Sequence, residues 1–242
     1  MKHYNLLIVG AGNAGLRAAI AARKTDSSLK ILLVTKKTLD TGSVSAYAAG
    51  DRAAYHVTLD YTLPISPDSW KYHAADIYRG GMKVSKPDLA EILAKNSAKS
   101  FYYLTDRGLK FVKKGERFDQ ILTDSSVYPR GCYAGPDTVQ KVHRLLLREF
   151  KELKIDTMEH CMVAELAAGG GRVSGAVLYD EKSKSFSAVS FNACVLAAGG
   201  GCSLYADNAV PSAVNGDGYV LAHDAGADLA NMEFIRFGTV SV

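Results

Sequence analysis

The hydrophobic pattern of this chain changes period several times, and each change marks an element. Leu6-Leu7-Ile8-Val9 is an unbroken apolar run that stops at Gly10. An Ala-rich stretch with helical spacing follows from Ala14, so the opening reads as strand, turn and helix. After the polar turn Asp26-Ser27-Ser28, Lys30-Ile31-Leu32-Leu33-Val34 predicts a second strand, closing a βαβ unit of about thirty residues. Residues 51–85 read as irregular, punctuated by Pro64, Pro67 and Gly80-Gly81. Pro87 suits a first helical turn, and Leu89, Ile92, Leu93, Ala98, Phe101 and Leu104 follow with helical spacing. They predict a structural helix ended by Gly108. Asp137 to Lys151 predicts another amphipathic helix. From residue 155 the period shortens to that of strands, at Met162–Leu166, Val173–Tyr179 and Ser187–Phe191, with Gly169-Gly170-Gly171 as a hairpin turn. Ala193 to Ala198 is continuously apolar, as a buried parallel strand would be, and runs into Gly199-Gly200-Gly201. Gly216-Asp217-Gly218 opens a further helix.

The first turn carries the most specific chemistry. Gly10-Ala11-Gly12-Asn13-Ala14-Gly15 is G-x-G-x-x-G placed directly between a strand and a helix, the arrangement that receives a dinucleotide pyrophosphate. Gly10 permits the sharp turn, Gly12 lets backbone approach the phosphates, and Gly15 lets the helix pack closely on the strand. The helix N-terminus supplies unpaired N–H groups and the positive end of its dipole. About twenty residues further on, where an Asp or Glu ordinarily binds the adenosine ribose, this chain has Thr35-Lys36-Lys37; Asp40 is near but lies in the loop. Residues 41–50, Thr-Gly-Ser-Val-Ser-Ala-Tyr-Ala-Ala-Gly, form a small-residue tract that lets backbone approach a flat ligand, although a plain flexible loop would use the same residues.

Composition narrows the classes. With 242 residues, 48% hydrophobic and 22% charged, the chain can bury a sizeable core. A net charge of +4 without a dense basic block argues against nucleic acid as the partner, and Lys113-Lys114 read as solvated surface. Cys132, Cys161, Cys194 and Cys202 show no C-x-x-C spacing and read as reduced thiols of a cytoplasmic protein. The apolar run after Met1-Lys2-His3 is shorter than the roughly seven residues of a signal-peptide core. No segment reaches the roughly 18 apolar residues of a span, so direct membrane insertion is not expected. No metal site is expected.

Taken in order, these segments resemble the flavoprotein subunits of the succinate dehydrogenase and fumarate reductase family, which includes L-aspartate oxidase and the adenylylsulfate reductase flavoprotein. The resemblance rests on Gly10 to Gly15, Thr35-Lys36, Gly42-Ser43 through Ala49-Gly50, Asp68-Ser69-Trp70, Tyr128-Pro129-Arg130, Asp137-Thr138, Leu196 to Gly200, Gly216-Asp217-Gly218 and Asn231-Met232-Glu233-Phe234. It implies an α/β, Rossmann-like FAD-binding domain over residues 1–242, with a parallel sheet and an accessory antiparallel β-layer near 162–191. It also implies FAD rather than NAD. Carried over residue by residue, cofactor binding falls on Gly10, Ala11, Gly12, Asn13, Ala14, Gly15, Thr35, Lys36, Lys37, Gly42, Ser43, Val44, Ser45, Ala49, Gly50, Val163, Ala164, Ala198, Gly199, Gly200 and Asp217. For Asp217 a helix N-cap is the plain alternative. The partners implied are a small-molecule substrate such as a dicarboxylate and an iron–sulfur electron-transfer subunit.

The departures also carry weight. Respiratory members attach FAD through a histidine immediately after the loop serine, and here Ser43 is followed by Val44, which implies non-covalent FAD. The family's Gln-Phe-His-Pro-Thr pattern is replaced by Arg236-Phe237-Gly238-Thr239-Val240, so no catalytic residue is assigned, with Arg236 and Arg130 the first candidates for a proton donor. The family's cap and helical domains lie beyond the part that this chain resembles, so an N-terminal portion of a larger enzyme is expected. Two other readings stay open: a cofactor-binding module or subunit without chemistry of its own, and an NAD(P)-dependent reductase in which Lys36 and Lys37 hold a 2′-phosphate.

Overall fold

The computed structural model describes residues 1–50, 53–62, 68–123 and 125–235. In chain order the elements are β1 (Lys2–Val9), α1 (Asn13–Thr25), β2 (Ile31–Val34), α2 (Val44–Tyr47), β3 (Tyr55–His56), α3 (Trp70–Gly80) and α4 (Pro87–Thr105). Four short strands follow, β4 (Lys113–Lys114), β5 (Arg117–Phe118), β6 (Gln120–Ile121) and β7 (Gly131–Cys132). The chain continues with α5 (Thr138–Glu152), β8 (Asp156–Met158), β9 (Cys161–Gly169), β10 (Arg172–Asp180), β11 (Ser185–Leu196), a 3-10 turn at Cys202–Leu204 and α6 (Asp217–Asp224). They form two compact units, one of residues 1–44 and 149–242, the other of residues 45–148.

The first unit is built on a six-stranded sheet in the order β8-β2-β1-β11-β10-β9. β8, β2, β1 and β11 are mutually parallel, whereas β10 and β9 run antiparallel to their neighbours. Strand β11 joins the two parts. Its residues from Val189 to Leu196 pair with β1 and those from Ser185 to Ser190 pair with β10. The chain therefore needs one strand of 12 residues where two separate strands, at 187–191 and 193–198, were expected. Asn192 does not interrupt it.

Side chains on alternate sides of β1 and β2 face different layers. Leu7, Val9, Leu32 and Val34 form one buried cluster with Val163 of β9, Ala176 and Leu178 of β10 and Val189 and Phe191 of β11. Ile8, Ile31 and Leu33 are also buried, and α1 covers the Ile8 side with Leu16, Ala19 and Ile20. Each large aliphatic side chain buried in this way contributes about 1.5–3 kcal/mol. The turn between β9 and β10 is Gly170-Gly171, with φ of +59° and +77°, the paired positive values of a tight hairpin turn.

The second unit differs from its expectation in two places. Residues 51–85 are not irregular throughout, since Trp70–Gly80 is helical and Ser69 caps it by accepting a hydrogen bond from Tyr72 N at 3.5 Å. In α4 the buried stripe is Ala90, Ala94, Ser97, Phe101 and Leu104, while Leu89, Ile92 and Leu93 of the apolar helical pattern are more than half exposed. The small residues permit close packing of α4 on α3, where Ala74, Ala90 and Ala94 form one cluster. Phe101 anchors the far end, with its ring 4.5 Å from Phe111 and 4.9 Å from Phe118.

Candidate functional site

β1, β2 and β11 are parallel and paired to their last residues, Val9 with both Val34 and Leu196. Their carboxyl ends therefore share one edge of the sheet, the edge at which open α/β sheets receive ligands. Gly10 turns the chain there. Its N–H donates to Val34 O at 2.8 Å, and Ala197 N donates to Val9 O at 2.8 Å, so the turn is pinned between the two neighbouring strand ends. Gly10 has φ +107°, and a Cβ on it would overlap the backbone oxygen of Ala197. Gly15 is equally constrained, because its Cβ would overlap Gly10 O. Gly12 is different. It is the N-cap of α1 with φ −70° and ψ 179°, a conformation open to any residue, so the backbone of this turn does not itself demand glycine at this position.

The α1 N-terminus has no side-chain hydrogen bond from its N-cap and no acidic residue in its first turn. The N–H groups of that first turn point along the axis, out of the helix end. A dinucleotide pyrophosphate fits this arrangement: backbone donors, a positive dipole end and no acidic residue in the helix's own first turn.

The same edge gathers other residues expected at the site. Thr35 is buried just beyond β2, donating from N to Met158 O at 2.9 Å and accepting from Cys161 N at 3.0 Å. This holds the start of β9, hence Met162-Val163-Ala164, beside the end of β2; Val163 turns into the core and Ala164 is exposed. Lys36 Nζ donates to Asp217 Oδ2 at 2.6 Å and to Asn215 Oδ1 at 2.7 Å. Lys37 Nζ lies 3.5 Å from Glu181 Oε2. The loop after β11 docks on the α6 entry, with Gly216 N donating to Gly200 O at 3.1 Å and Gly218 facing Ala198. Gly199, with φ +78°, has open space where a side chain would stand. The N-cap of α6 is Gly216, and Asp217 is its first helical residue; its carboxylate serves Lys36 rather than capping the helix.

Gly42 packs against the Lys37 side chain and donates to Thr38 O at 3.2 Å, and Ser43 leads into α2, which starts at Val44. The tract expected as a loop thus contains one helical turn. In the second unit Ser45 lies in that turn, Ala49 follows it, and Gly50 donates to Pro136 O at 2.9 Å with no atom of the described residues near its Cβ position. Asn215 and Glu181 were not anticipated as partners of the lysines, since nothing local in the sequence joins positions so far apart.

Arg130 proves to be a structural residue. It is fully buried, donating from Nε and Nη2 to Asp68 at 2.6 and 2.8 Å and from Nη1 to Asp76 at 2.6 Å. Asp76 also accepts from Val127 N at 3.1 Å and pairs with Arg79. His73 is buried beside them, hydrogen-bonded to Thr58 Oγ1 at 2.9 Å, and is pushed down to about 4 by burial first and by Arg130 second. Each of the three guanidinium nitrogens of Arg130 donates to a carboxylate and the side chain is fully buried, so it serves the fold rather than a substrate as proton donor. Arg236 and the residues after it lie outside the described residues. Burial raises the thiols of Cys132 to about 12 and of Cys161 and Cys194 to about 11, leaving them protonated and unreactive at neutral pH. Among the described residues no group of His, Cys, Asp and Glu is placed to hold a metal, and no helix is long and apolar enough to cross a membrane.

A mainly parallel sheet with a glycine turn at the carboxyl ends of its parallel strands, extended by two antiparallel strands, defines a dinucleotide-binding α/β protein. The chain belongs to the family described as FAD binding domain, which matches residues 5–242, and its cofactor is FAD. It is 30% identical over 238 residues to an uncharacterised FAD-dependent oxidoreductase of Methanocaldococcus jannaschii, covering 96% of this chain and 41% of that protein. It is 29% identical to one subunit of the CoM/CoB fumarate reductase of Methanothermobacter marburgensis, covering 96% and 42%. Among solved structures, Mycobacterium smegmatis Sdh1 in complex with UQ1 superposes with a TM-score of 0.84 at 27% identity, over 98% of this chain and 41% of that one. The chain thus spans well under half the length of these relatives.

Proposed function

We propose that the protein is an FAD-dependent oxidoreductase of the fumarate reductase and succinate dehydrogenase flavoprotein type, with a fumarate- or succinate-like dicarboxylate as its substrate. L-Aspartate and adenylylsulfate rank after it. The observation that carries the cofactor side of this reading is the turn at Gly10 to Gly15, whose backbone is fixed by packing at both outer glycines and whose helix end suits an anion; the substrate class is supported by the likeness to a fumarate reductase subunit. Bound FAD would supply two-electron chemistry by hydride transfer at flavin N5.

The chain's own part is to bind and orient. Gly10-Ala11-Gly12-Asn13-Ala14-Gly15 would hold the pyrophosphate through backbone N–H groups. Thr35, Lys36, Lys37, Val163 and Ala164 would border the adenosine. Asp217 would supply in space the carboxylate that β2 lacks in sequence, since Lys36 draws it to the strand end. Ala198, Gly199 and Gly200 would offer close backbone approach, and Gly42, Ser43, Val44, Ser45, Ala49 and Gly50 would run along the flavin. Residues 1–242 would act as one FAD-binding domain. A cytoplasmic location and an iron–sulfur electron-transfer subunit complete the proposal.

Val44 occupies the position after the loop serine and has no nucleophile, so FAD is held non-covalently. The test is acid precipitation of flavin-loaded protein. All of the yellow colour is expected in the supernatant. Flavin retained in the washed pellet would contradict the assignment.

A further inference from the structure

The end of β2 is where a dinucleotide-binding sheet distinguishes a free ribose from a 2′-phosphorylated one: an acid there accepts the 2′-hydroxyl, and a cation there accommodates a 2′-phosphate. By sequence this chain has the second kind of site, two adjacent lysines and no acid. In space it does not. Lys36 is held by Asp217 at 2.6 Å and Asn215 at 2.7 Å, with the lysine side chain 19% exposed and the aspartate 28%. Lys37 lies 3.5 Å from Glu181. The two carboxylates come from distant parts of the chain, Asp217 from the first turn of α6 and Glu181 from the β10–β11 connection. Glu181 is itself held in place, its N–H donating to His160 O at 2.8 Å, while His160 N donates to Lys37 O at 3.5 Å.

We propose that Asp217 and Glu181 form a specificity filter, occupying Lys36 and Lys37 so that the site accepts a dinucleotide with a free ribose and rejects a 2′-phosphorylated one. The discrimination is electrostatic. Two bare lysines would attract a 2′-phosphate, which carries about −1.5 to −2 charges at neutral pH. Two lysine–carboxylate pairs bring the local charge to zero, and an incoming phosphate must either displace a carboxylate or lie beside it. A free ribose meets no such opposition. Partial exposure suits this role, since both pairs stand where a ligand can reach them. The inference rests on the proposed placement of the adenosine at the end of β2.

The experiment compares binding of 5′-ADP and 2′,5′-ADP, by calorimetry, to the chain and to the variants Glu181→Gln, Asp217→Asn and the double variant. Folding of each is checked by circular dichroism. The wild type is expected to favour 5′-ADP over 2′,5′-ADP. The preference should shift by about tenfold towards 2′,5′-ADP in Glu181→Gln and further in the double variant. Adding Lys36→Gln to the double variant should reverse most of the gain, because the freed lysine is what holds the phosphate. An unmoved ratio in the folded double variant, or a wild type that already prefers 2′,5′-ADP, would overturn the proposal. Using the ratio separates the filter from any general weakening caused by losing Asp217. FAD binding by the wild type, measured alongside, reads the proposed function and not the filter.

Discussion

Two clusters of opposite charge, one in each unit, are built from residues that share a place in the same family pattern, yet they behave as different objects. In the Arg130 cluster the guanidinium and Asp68 are fully buried and Asp76 nearly so, with three charged hydrogen bonds at 2.6–2.8 Å. In the Lys36 cluster both partners keep contact with solvent and a single bond joins lysine to carboxylate. The first cannot exchange partners without burying an uncompensated charge. The second can. Motif membership therefore does not distinguish a fully buried ion-pair network from a solvent-accessible pair, whereas exposure does.

The largest expected effect follows from that contrast. Arg130→Leu leaves Asp68 and Asp76 buried without their cation, and removing one partner of a buried ion pair costs about 3–5 kcal/mol. Urea denaturation should show the loss as a lowered midpoint. A change under about 1 kcal/mol would mean that water reaches the cluster and that the comparison fails.

His73 gives that cluster a pH signature. Its folded value of about 4 lies below the ordinary 6.5, so as pH falls the unfolded chain takes up the proton first. The stabilising contribution is complete above about pH 6.5, declines as pH falls towards 4, and changes no further below that. Denaturation midpoints at pH 7 and pH 5 should differ in that direction, and His73→Gln should flatten the slope. Equal slopes in both proteins would show that His73 titrates freely in the folded state.

The smallest effect belongs to the Lys36 cluster. Lys36→Ala should cost less than about 1 kcal/mol, as expected of a partly solvated pair. A loss comparable to that of Arg130→Leu would make it a structural pair and weaken the case for partner exchange.

The same contrast explains what could be read from the sequence. The β1–turn–α1–β2 unit was legible because an apolar run, two packing-constrained glycines and a helical period are all local signals. Helix α3 was not, because its inward face is His73, Ala74 and Asp76, and a search for apolar periodicity passes over a helix that buries charge. In α4 the helical period was legible but the buried face was not, because the small residues Ala90, Ala94 and Ser97 pack inward while Leu89, Ile92 and Leu93 are exposed. The pairing of Lys36 with Asp217 joins positions 181 apart, for which the chain has no local signal. The missing acid after β2 was visible, but the pairing of Asp217 with Lys36 at that strand end was not.

The central claim is that the turn at Gly10 to Gly15 binds FAD through its backbone, with Gly10 and Gly15 serving the packing and Gly12 serving the ligand. Gly12→Val isolates it, because Gly12 has an ordinary φ and the substitution is not strained by backbone conformation. The measurement is titration of FAD, followed by quenching of flavin fluorescence, into the wild-type chain and Gly12→Val, with the urea midpoint of each. Stoichiometric binding by the wild type is expected, with at least a hundredfold weaker binding by the variant, at a similar midpoint. Equal FAD affinity in a folded Gly12→Val protein would contradict it.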